Sequence, residues 1–237
     1  MTDVKAYIIH LQSATQRKEN IDLMRTKLPR ASVVEAIDAT TLDASTQRLH
    51  YKRFASWPPY PFAMRTSEIA CFLSHRKCWQ IIADGDAPYA LVLEDDVAFV
   101  PSVFDRALAK AEEMAAETCF IRLERCKNDP DETIQPHIIK PKFAGHGMQT
   151  QLVGRETAKH LLRVTEVFDR PVDTILQMPW LSKQTLMEVV PSGIKEISDA
   201  LGGSTIATRK SRYPRIYREL LRPAYRAAVI ATTLVLR

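Results

Sequence analysis

The amino-acid sequence predicts an α/β fold in which a mostly parallel central sheet is flanked by helices. Short apolar runs rich in β-forming residues alternate with longer stretches of helical periodicity, and this alternation is typical of that fold class. With 237 residues, of which 46% are hydrophobic and 26% are charged, the chain can bury a sizeable core. It has only seven glycines and neither a GxGxxG nor a GxxxxGK pattern, so a glycine-rich phosphate loop is not expected.

Three predicted strands and two predicted helices occupy the first part of the chain. Ser13 and Ser67 are suited to cap the two helices, and Gly85 is suited to end the second one. The proline-rich segment 40–65 is expected to be an irregular loop. The five elements are expected, in order, at residues 4–11 (strand), 14–28 (helix), 32–37 (strand), 67–84 (helix) and 87–93 (strand).

The second part of the chain continues this alternation with shorter elements. They are expected at residues 103–117 (helix), 119–123 (strand), 149–153 (strand), 155–168 (helix), 171–177 (helix) and 186–190 (strand). In α/β sheets, ligands bind at the carboxyl ends of the strands. The end of the strand at 87–93, which runs directly into acidic residues, is therefore the first candidate for a site.

The net charge of +5 is unevenly distributed along the chain. Residues 207–237 contain eight basic residues and one acid, so this tail carries +7 and residues 1–206 carry −2. We therefore expect one α/β domain over residues 1–206 and a basic, partly apolar tail over residues 207–237. Because the basic pI comes from the tail, a nucleic-acid partner is not expected.

The sequence also favours a cytoplasmic location. Its start lacks the cationic and long apolar regions of a secretory signal, and the uncharged run at 227–236 is shorter than the roughly 20 residues that span a bilayer. The four cysteines form no CxxC pair, which is typical of reduced thiols.

Three adjacent carboxylates, Glu94, Asp95 and Asp96, follow the apolar run YALVL. Side chains alternate along a strand, so Glu94 and Asp96 would share one face if the strand geometry persists. Two carboxylates that converge at an open sheet end suit Mg²⁺ or Mn²⁺, which would relieve the repulsion that otherwise raises the pKa of one of them. The alternative interpretation is a solvated acidic turn.

Several segments, in order, resemble glycosyltransferase family 25, which includes bacterial lipopolysaccharide and lipooligosaccharide galactosyltransferases and animal collagen galactosyltransferases. The resembling segments are AYIIHLQSATQRKENI, AIDATTL, SEIACFLSHRKCWQII followed by YALVLEDDV, CFIRLER, VGRETAKHLL and RPVDTIL. The resemblance implies a GT-A type nucleotide-sugar-binding fold, an inverting mechanism, and a UDP-sugar donor, commonly UDP-galactose, bound with Mn²⁺ or Mg²⁺. The segment GHGMQTQLVG departs from the family's pattern where the sugar or acceptor pocket is commonly shaped.

The resemblance also assigns expected roles to individual residues. Asp96 is the preferred metal ligand, together with Glu94, and Glu94 and Asp95 are expected to share the metal and ribose contacts. Ser74 and His75 match the Ser-His pair of the family. The expected donor-binding residues outside the acidic motif are Leu11, Arg17, Asp38, Ser74, His75 and Lys77.

Inverting transfer also requires a base that removes the proton of the acceptor hydroxyl. Asp173, in RPVDTIL, is the preferred candidate, Glu124, at the end of CFIRLE, is the second, and Asp169 is a further alternative. An acid in the first turn of a helix is also stabilised by the helix dipole, so Asp173 could equally have a structural role.

The expected function is sugar transfer onto a glycolipid or oligosaccharide acceptor of lipopolysaccharide or a related envelope glycan. The basic tail would bind the anionic surface at the inner face of the inner membrane, or pack as a helix on the domain. Two alternatives are a metal-dependent phosphohydrolase, which needs further His and Asp ligands, and a non-catalytic module that binds nucleic acid or membrane.

Overall fold

The computed structural model describes residues 3–126, 130–141, 145, 147–203 and 215–236. Within these residues, strands and helices alternate as the sequence predicts. The strands are β1 (Ala6–His10), β2 (Ala31–Glu35), β3 (Tyr89–Glu94), β4 (Val97–Phe99), β5 (Phe120–Arg125), β6 (His137–Ile139), β7 (Thr150–Gly154) and β8 (Met187–Glu196). The helices are α1 (Lys18–Lys27), α2 (Ala44–His50), α3 (Thr66–Asp84), α4 (Pro101–Glu112), α5 (Arg155–Val164), α6 (Val172–Leu176), α7 (Pro179–Ser182) and α8 (Arg215–Val235).

All eight strands form one sheet with the order β2-β1-β3-β7-β5-β8-β4, and β6 also pairs with β8. The pairs β1–β2, β1–β3 and β5–β8 are parallel. β7 runs antiparallel between β3 and β5, and β4 and β6 run antiparallel to β8. The predicted α/β class is confirmed, and the sheet contains more antiparallel pairing than the sequence indicates.

Helices cover both faces of the sheet, so each central strand is buried on both sides. In β3, Ala90 and Val92 belong to a core cluster with Phe72 of α3, whereas Leu91 and Leu93 belong to a second cluster with Phe104 of α4. This alternation follows from the two-residue period of a strand. It explains why YALVL is apolar throughout, as expected for a strand covered on both faces.

Several boundaries differ from the prediction for local reasons. The segment expected to be an irregular loop contains α2, because the Asp43 carboxylate accepts hydrogen bonds from the backbone N–H groups of Ser45 and Thr46 and caps the helix. α3 begins at Thr66, before the expected Ser67 cap, because the Glu68 carboxylate accepts a hydrogen bond from the backbone N–H of Arg65 at 2.7 Å.

The last described helix, α8, packs part of one face against the domain. Tyr225 accepts a 2.7 Å hydrogen bond from the Arg170 guanidinium, and Val229 and Thr233 are buried. No helix in the described part of the chain is long and apolar enough to cross a bilayer. The division into a 1–206 domain and a 207–237 tail stays a prediction, since residues 204–214 lie outside the described part.

Candidate functional site

The carboxyl ends of three parallel strands meet at one edge of the sheet and bring polar side chains together. The register pairs Ile9 with Glu94 and His10 with Glu35, so the ends of β1, β2 and β3 are level. Glu94 ends β3, and a turn over Asp95 and Asp96 follows. We call these three residues, Glu94, Asp95 and Asp96, the acid edge.

Asp95 is fully engaged by neighbouring side chains. One carboxylate oxygen lies 2.7 Å from His10 Nδ1, and the other accepts a hydrogen bond from Arg17. Asn20 donates hydrogen bonds of 2.9 Å to the carbonyl oxygens of Asp95 and Val97, which fixes the turn. The expected metal or ribose contact of Asp95 stays a prediction. Both its oxygens have protein partners, and one of them holds Arg17 beside Asp96.

Asp96, in contrast to Asp95, has a side-chain partner for only one of its two carboxylate oxygens. Its Oδ2 lies 3.2 Å from Arg17 Nη1, whereas its Oδ1 is buried without a hydrogen-bond partner. Burial, followed by the charge of Glu94, raises the pKa of Asp96 from its ordinary 3.8 to about 6, although Arg17 opposes the shift. An orphaned carboxylate oxygen beside a second carboxylate fits a hard divalent cation, so the residues present are compatible with the expected metal.

Glu94 is held on the α3 side of the acid edge. Its Oε1 lies 3.2 Å from Nε2 of His75, whose side chain is 1% exposed. The His75 Nδ1 lies 3.5 Å from Nε2 of Gln151, which donates a 3.1 Å hydrogen bond to the carbonyl of Met148. His75 therefore joins Glu94 to β7 through the interior.

Other expected donor-binding residues surround the same edge. Ser74 Oγ accepts a 2.8 Å hydrogen bond from the backbone N–H of Ile37 and thereby ties α3 to the chain after β2. Lys77 donates a 2.9 Å hydrogen bond to the carbonyl of Glu35 at the end of β2. Asp38 accepts hydrogen bonds from the backbone and hydroxyl of Thr40, which lower its pKa, and Leu11 follows β1. These residues line the edge without contacting Asp96.

A group of acids surrounds Cys71 on the neighbouring turn of α3. Burial, followed by the negative charges of Glu94, Asp173, Asp96 and Glu68, raises the pKa of Cys71 well above its ordinary value. All four carboxylates therefore act electrostatically on one thiol. The expected base, Asp173, lies in α6, which packs against α3 because Val172 and Ile175 share a core cluster with Phe72.

A buried arginine supports the chain segment beside Asp173. Asp173 Oδ2 accepts a 3.1 Å hydrogen bond from the backbone N–H of Gly147. Arg122 donates to the carbonyls of Gly145 and Gly147 and forms a 2.6 Å ion pair with Glu188. Arg122 and Glu188 are paired in register on adjacent strands β5 and β8. This buried pair holds the segment against which Asp173 is oriented.

The two other base candidates have different positions. Glu124 lies in β5, where the register with β8 shifts between Leu123 and Arg125, and its side chain is outside the described part of the structure. Asp169 is 2% exposed, and its two oxygens accept hydrogen bonds from Arg170 and from the backbone N–H of Ser56. Asp169 therefore has no oxygen without a partner and is placed for a structural role.

Sequence reasoning missed the polar residues that hold the acid edge in place. His10 lies at the end of an apolar strand, and its spacing from Asp95 gives no signal. Asn20 lies in the helical pattern of α1, and only the buried face of that helix could have indicated a polar contact. Gln151 lies in the polar first half of β7, and its burial becomes visible only in the structure.

One cavity in the described part of the structure lies away from these residues. It has a volume of 460 Å³ and opens beside Cys119 and Met187, at the amino ends of β5 and β8. Since β3 runs parallel to β5, the acid edge is at the opposite edge of the sheet from this cavity.

Comparisons with known proteins match the chain to one family. The family model "Glycosyltransferase family 25 (LPS biosynthesis protein)" matches residues 3–176. "Lipooligosaccharide biosynthesis protein lic2B" of Haemophilus influenzae is 30% identical over 173 residues, covering 65% of this chain and 61% of that protein. "Procollagen galactosyltransferase 2" of Mus musculus is 29% identical over 147 residues, covering 56% and 23%. "Probable inactive glycosyltransferase 25 family member 3" of Bos taurus is 29% identical over 122 residues, covering 47% and 20%.

The matched region contains both the acid edge and Asp173. Together with the sheet flanked by helices, it confirms the predicted GT-A-like fold class. The chain spans 61% of the length of the Haemophilus relative and less than a quarter of the length of the two animal relatives.

Proposed function

The chain belongs to glycosyltransferase family 25, and we propose that it transfers a sugar from a nucleotide-sugar donor bound at the acid edge to an acceptor hydroxyl. One observation carries the proposal. Half-buried Asp96 keeps a buried, unpartnered oxygen beside Glu94, at the carboxyl end of β3, where α/β sheets bind their ligands. A carboxylate oxygen without a partner at this position favours a cation, and the diphosphate of a donor would share it.

Asp96 and Glu94 are the residues that would hold Mn²⁺ or Mg²⁺. When bound, the cation would neutralise the diphosphate that leaves during transfer. Arg17, buried and fixed by Asp95, adds a second positive charge beside Asp96. The buried environment strengthens both electrostatic interactions relative to water.

The donor nucleoside is proposed to lie over the ends of β1 and β2. Leu11 and Asp38 follow these strands, and Ser74 and Lys77 reach them from α3. UDP-galactose is the proposed donor, in keeping with the name of the murine galactosyltransferase relative. The acid edge itself supplies charge compensation and does not distinguish one sugar from another.

Asp173 is the proposed base of an inverting reaction. The acceptor oxygen would bond to the anomeric carbon as the bond from that carbon to the diphosphate oxygen breaks on the opposite face. The acceptor proton would pass to Asp173, and the negative charge would leave with the nucleoside diphosphate. Support comes from the position of Asp173 in α6, which packs against α3, the helix whose His75 contacts Glu94, with Glu124 as the alternative base.

The proposed acceptor is a lipooligosaccharide or related envelope glycan, in keeping with the name of the Haemophilus relative. α8 exposes Leu220, Ile230 and Leu234 together with the cations Arg222 and Arg226. Apolar and basic residues together suit an anionic membrane surface, so we propose that α8 holds the enzyme peripherally at the inner face of the inner membrane. Sedimentation with anionic vesicles that weakens at high salt would support this, and equal sedimentation with neutral vesicles would contradict it.

The direct test is a screen of nucleotide sugars for metal-dependent hydrolysis by the full chain. We expect hydrolysis of a UDP-sugar in Mn²⁺ or Mg²⁺, its loss in chelator, and a drop of about 100-fold or more in Asp96→Ala. Asp105→Ala, which removes an exposed carboxylate on α4, is the matched control. Undiminished hydrolysis by Asp96→Ala would overturn the proposed site.

Two further measurements distinguish the two alternative functions from sugar transfer. A phosphohydrolase would need clustered His and Asp ligands, and the described residues contain one potential metal group, Cys71, His75 and Glu94. A non-catalytic module has a precedent in the name of the bovine relative. Thermal stabilisation by UDP with Mn²⁺ but without hydrolysis of any sugar nucleotide would favour the module, and metal-dependent release of phosphate from simple phosphate esters would favour the hydrolase.

A further inference from the structure

We propose that Cys71, His75 and Glu94 form a second cation site, selective for Zn²⁺ and other thiophilic divalent metals, beside the acid edge. One ligand atom from each side chain lies within 4.8 Å of the other two. This proposed site shares Glu94 with the oxygen-ligand site at Asp96 and differs from it in its other two ligands. It does not depend on the chain being a glycosyltransferase.

Helical spacing brings the first two ligands together. Cys71 and His75 are four residues apart in α3, and such residues lie on one face of a helix, one turn from each other. Glu94 meets them from the end of β3, with its Oε1 3.2 Å from His75 Nε2. Because α3 and β3 pack in the same core, little movement is needed to close the three ligands on one ion.

The distances fit a tetrahedral ion. Ligands at about 2.0–2.3 Å from a zinc ion stand roughly 3.5 Å apart. The His75 to Glu94 separation is already close to this value, and the limit of 4.8 Å for the whole group leaves about 1 Å to close. Three protein ligands would leave the fourth position for water, which is the arrangement of an open zinc site.

The ligand atoms distinguish this site from the proposed cation site at Asp96. A thiolate and an imidazole favour zinc over magnesium, whereas Asp96 offers only oxygen. Binding would form a zinc–sulfur bond at Cys71 and release the thiol proton to solvent. The positive charge of the bound ion would then offset the negative charges of Glu68, Asp96 and Asp173. The neutral thiol does not offset them.

Gln151 provides an independent sign, because it places a hydrogen-bond acceptor without a partner next to His75. Its side chain is fully buried, and its Oε1 has no hydrogen-bond partner, while its Nε2 lies 3.5 Å from His75 Nδ1. A half-turn of the carboxamide would place Oε1 against Nδ1 and would give up the hydrogen bond to Met148. A histidine that binds a metal through Nε2 carries its proton on Nδ1 and needs such an acceptor.

Sharing of Glu94 has a consequence for the proposed reaction. Glu94 would be drawn to the thiophilic ion and would no longer support a cation at Asp96. We therefore expect Zn²⁺ to compete with Mn²⁺ even though the two ions have different preferred ligands. Inhibition by zinc would be a consequence of the site, but its test is binding rather than activity.

The test is cobalt binding to the chelator-treated full chain, because Co²⁺ occupies zinc sites and a thiolate ligand gives it a charge-transfer absorption in the near ultraviolet. We expect the band in the wild type, its displacement by one equivalent of Zn²⁺, and its persistence in Asp96→Asn. Cys71→Ser should lose the band and weaken zinc binding more than about tenfold. Cys126→Ser, which removes another partly buried thiol, should keep the band.

Absence of the band in the wild type would overturn the proposal, and so would its persistence in Cys71→Ser. If Cys71→Ser does not fold, the wild-type protein decides the question through maleimide labelling followed by mass spectrometry. Zinc should then slow labelling at Cys71 and leave Cys126 unchanged. Equal labelling of Cys71 with and without zinc would contradict the site.

Discussion

Two buried charged regions of this protein are built differently. At Asp169 and Arg170 the charges are balanced, because both Asp169 oxygens are bonded and the guanidinium also donates to the carbonyls of Ser56 and Pro58 and to Tyr225. At the acid edge, Asp95 and Asp96 share Arg17, Glu94 lies against His75, and one oxygen of Asp96 has no hydrogen-bond partner among the described residues.

This difference in charge balance indicates which region supports the fold and which is a candidate to bind a ligand. A buried ion pair with complete hydrogen bonding links segments that are distant in sequence, here the 56–58 loop and α8, and needs no further ligand. A buried group of acids with one arginine destabilises the fold until another cation arrives. Charge balance therefore distinguishes the two regions better than burial does.

The largest expected effect is on the balanced region. Arg170→Met should destabilise the protein by about 3–5 kcal/mol, because it leaves the Asp169 carboxylate buried without its cation. Urea unfolding followed by circular dichroism measures this. Arg48→Met, on the exposed face of α2, should change the free energy of unfolding by less than about 0.5 kcal/mol. A loss below about 1 kcal/mol in Arg170→Met would remove the contrast between the regions.

The next effect concerns Asp95, the one balanced member of the acid edge. Asp95→Asn should cost about 2 kcal/mol of stability, because buried Arg17 loses a charge-assisted hydrogen bond and His10 loses its acceptor. The measurement is again urea unfolding at neutral pH. A neutral or stabilising result would mean that Asp95 does not anchor Arg17.

Asp96→Asn should act in the opposite direction and with a pH dependence. The folded-state pKa of about 6 lies above the ordinary 3.8, so the native state holds this proton more tightly than the unfolded state does. Ionisation of Asp96 therefore removes stability as the pH rises from about 4 to about 6. Since Asn cannot ionise, the variant should be more stable than the wild type by about 1–2 kcal/mol above pH 6.

The gain of Asp96→Asn should disappear below about pH 4, where the wild-type carboxyl is protonated in both states. Thermal unfolding of both proteins from pH 4 to pH 8 in chelator measures this trend. A variant that is less stable than the wild type at pH 7.5 would show that the protein alone satisfies Asp96.

The smallest effect is expected for Lys77. It is exposed and donates a single hydrogen bond to the carbonyl of Glu35. Lys77→Ala should change the free energy of unfolding by less than about 0.5 kcal/mol. A loss of UDP affinity without a loss of stability, measured by titration calorimetry, would place Lys77 at the donor. No change in either quantity would limit the donor site to the acid edge and Arg17.

Much of the fold could be predicted because its elements are local in sequence. Apolar runs predict most strands and helices, but neither Ser13 nor Ser67 is the N-cap of its helix. β4 and β6, of three residues each, are too short to show a period. The antiparallel position of β7 depends on pairing with β3 and β5, which are distant in sequence. A largely parallel sheet was therefore the natural expectation.

The acid edge was found because its three acids are contiguous, but their roles could not be separated from the sequence. Strand alternation stops at Glu94, and the turn that follows brings both Asp95 and Asp96 to Arg17. Likewise, Asp169 and Asp173 look equivalent in DRPVD. Only the pairing of Arg170 with Ser56 and Pro58, more than 100 residues away, distinguishes them.

Titration calorimetry of UDP into the protein in the presence of Mn²⁺ tests the central claim most directly. The account predicts that wild type and Asp105→Asn bind UDP only when the metal is present, and that Asp96→Asn, though folded and stable, binds at least about tenfold more weakly. Equal metal-dependent binding by Asp96→Asn and wild type would contradict the claim that the unbalanced acid edge is a cation site.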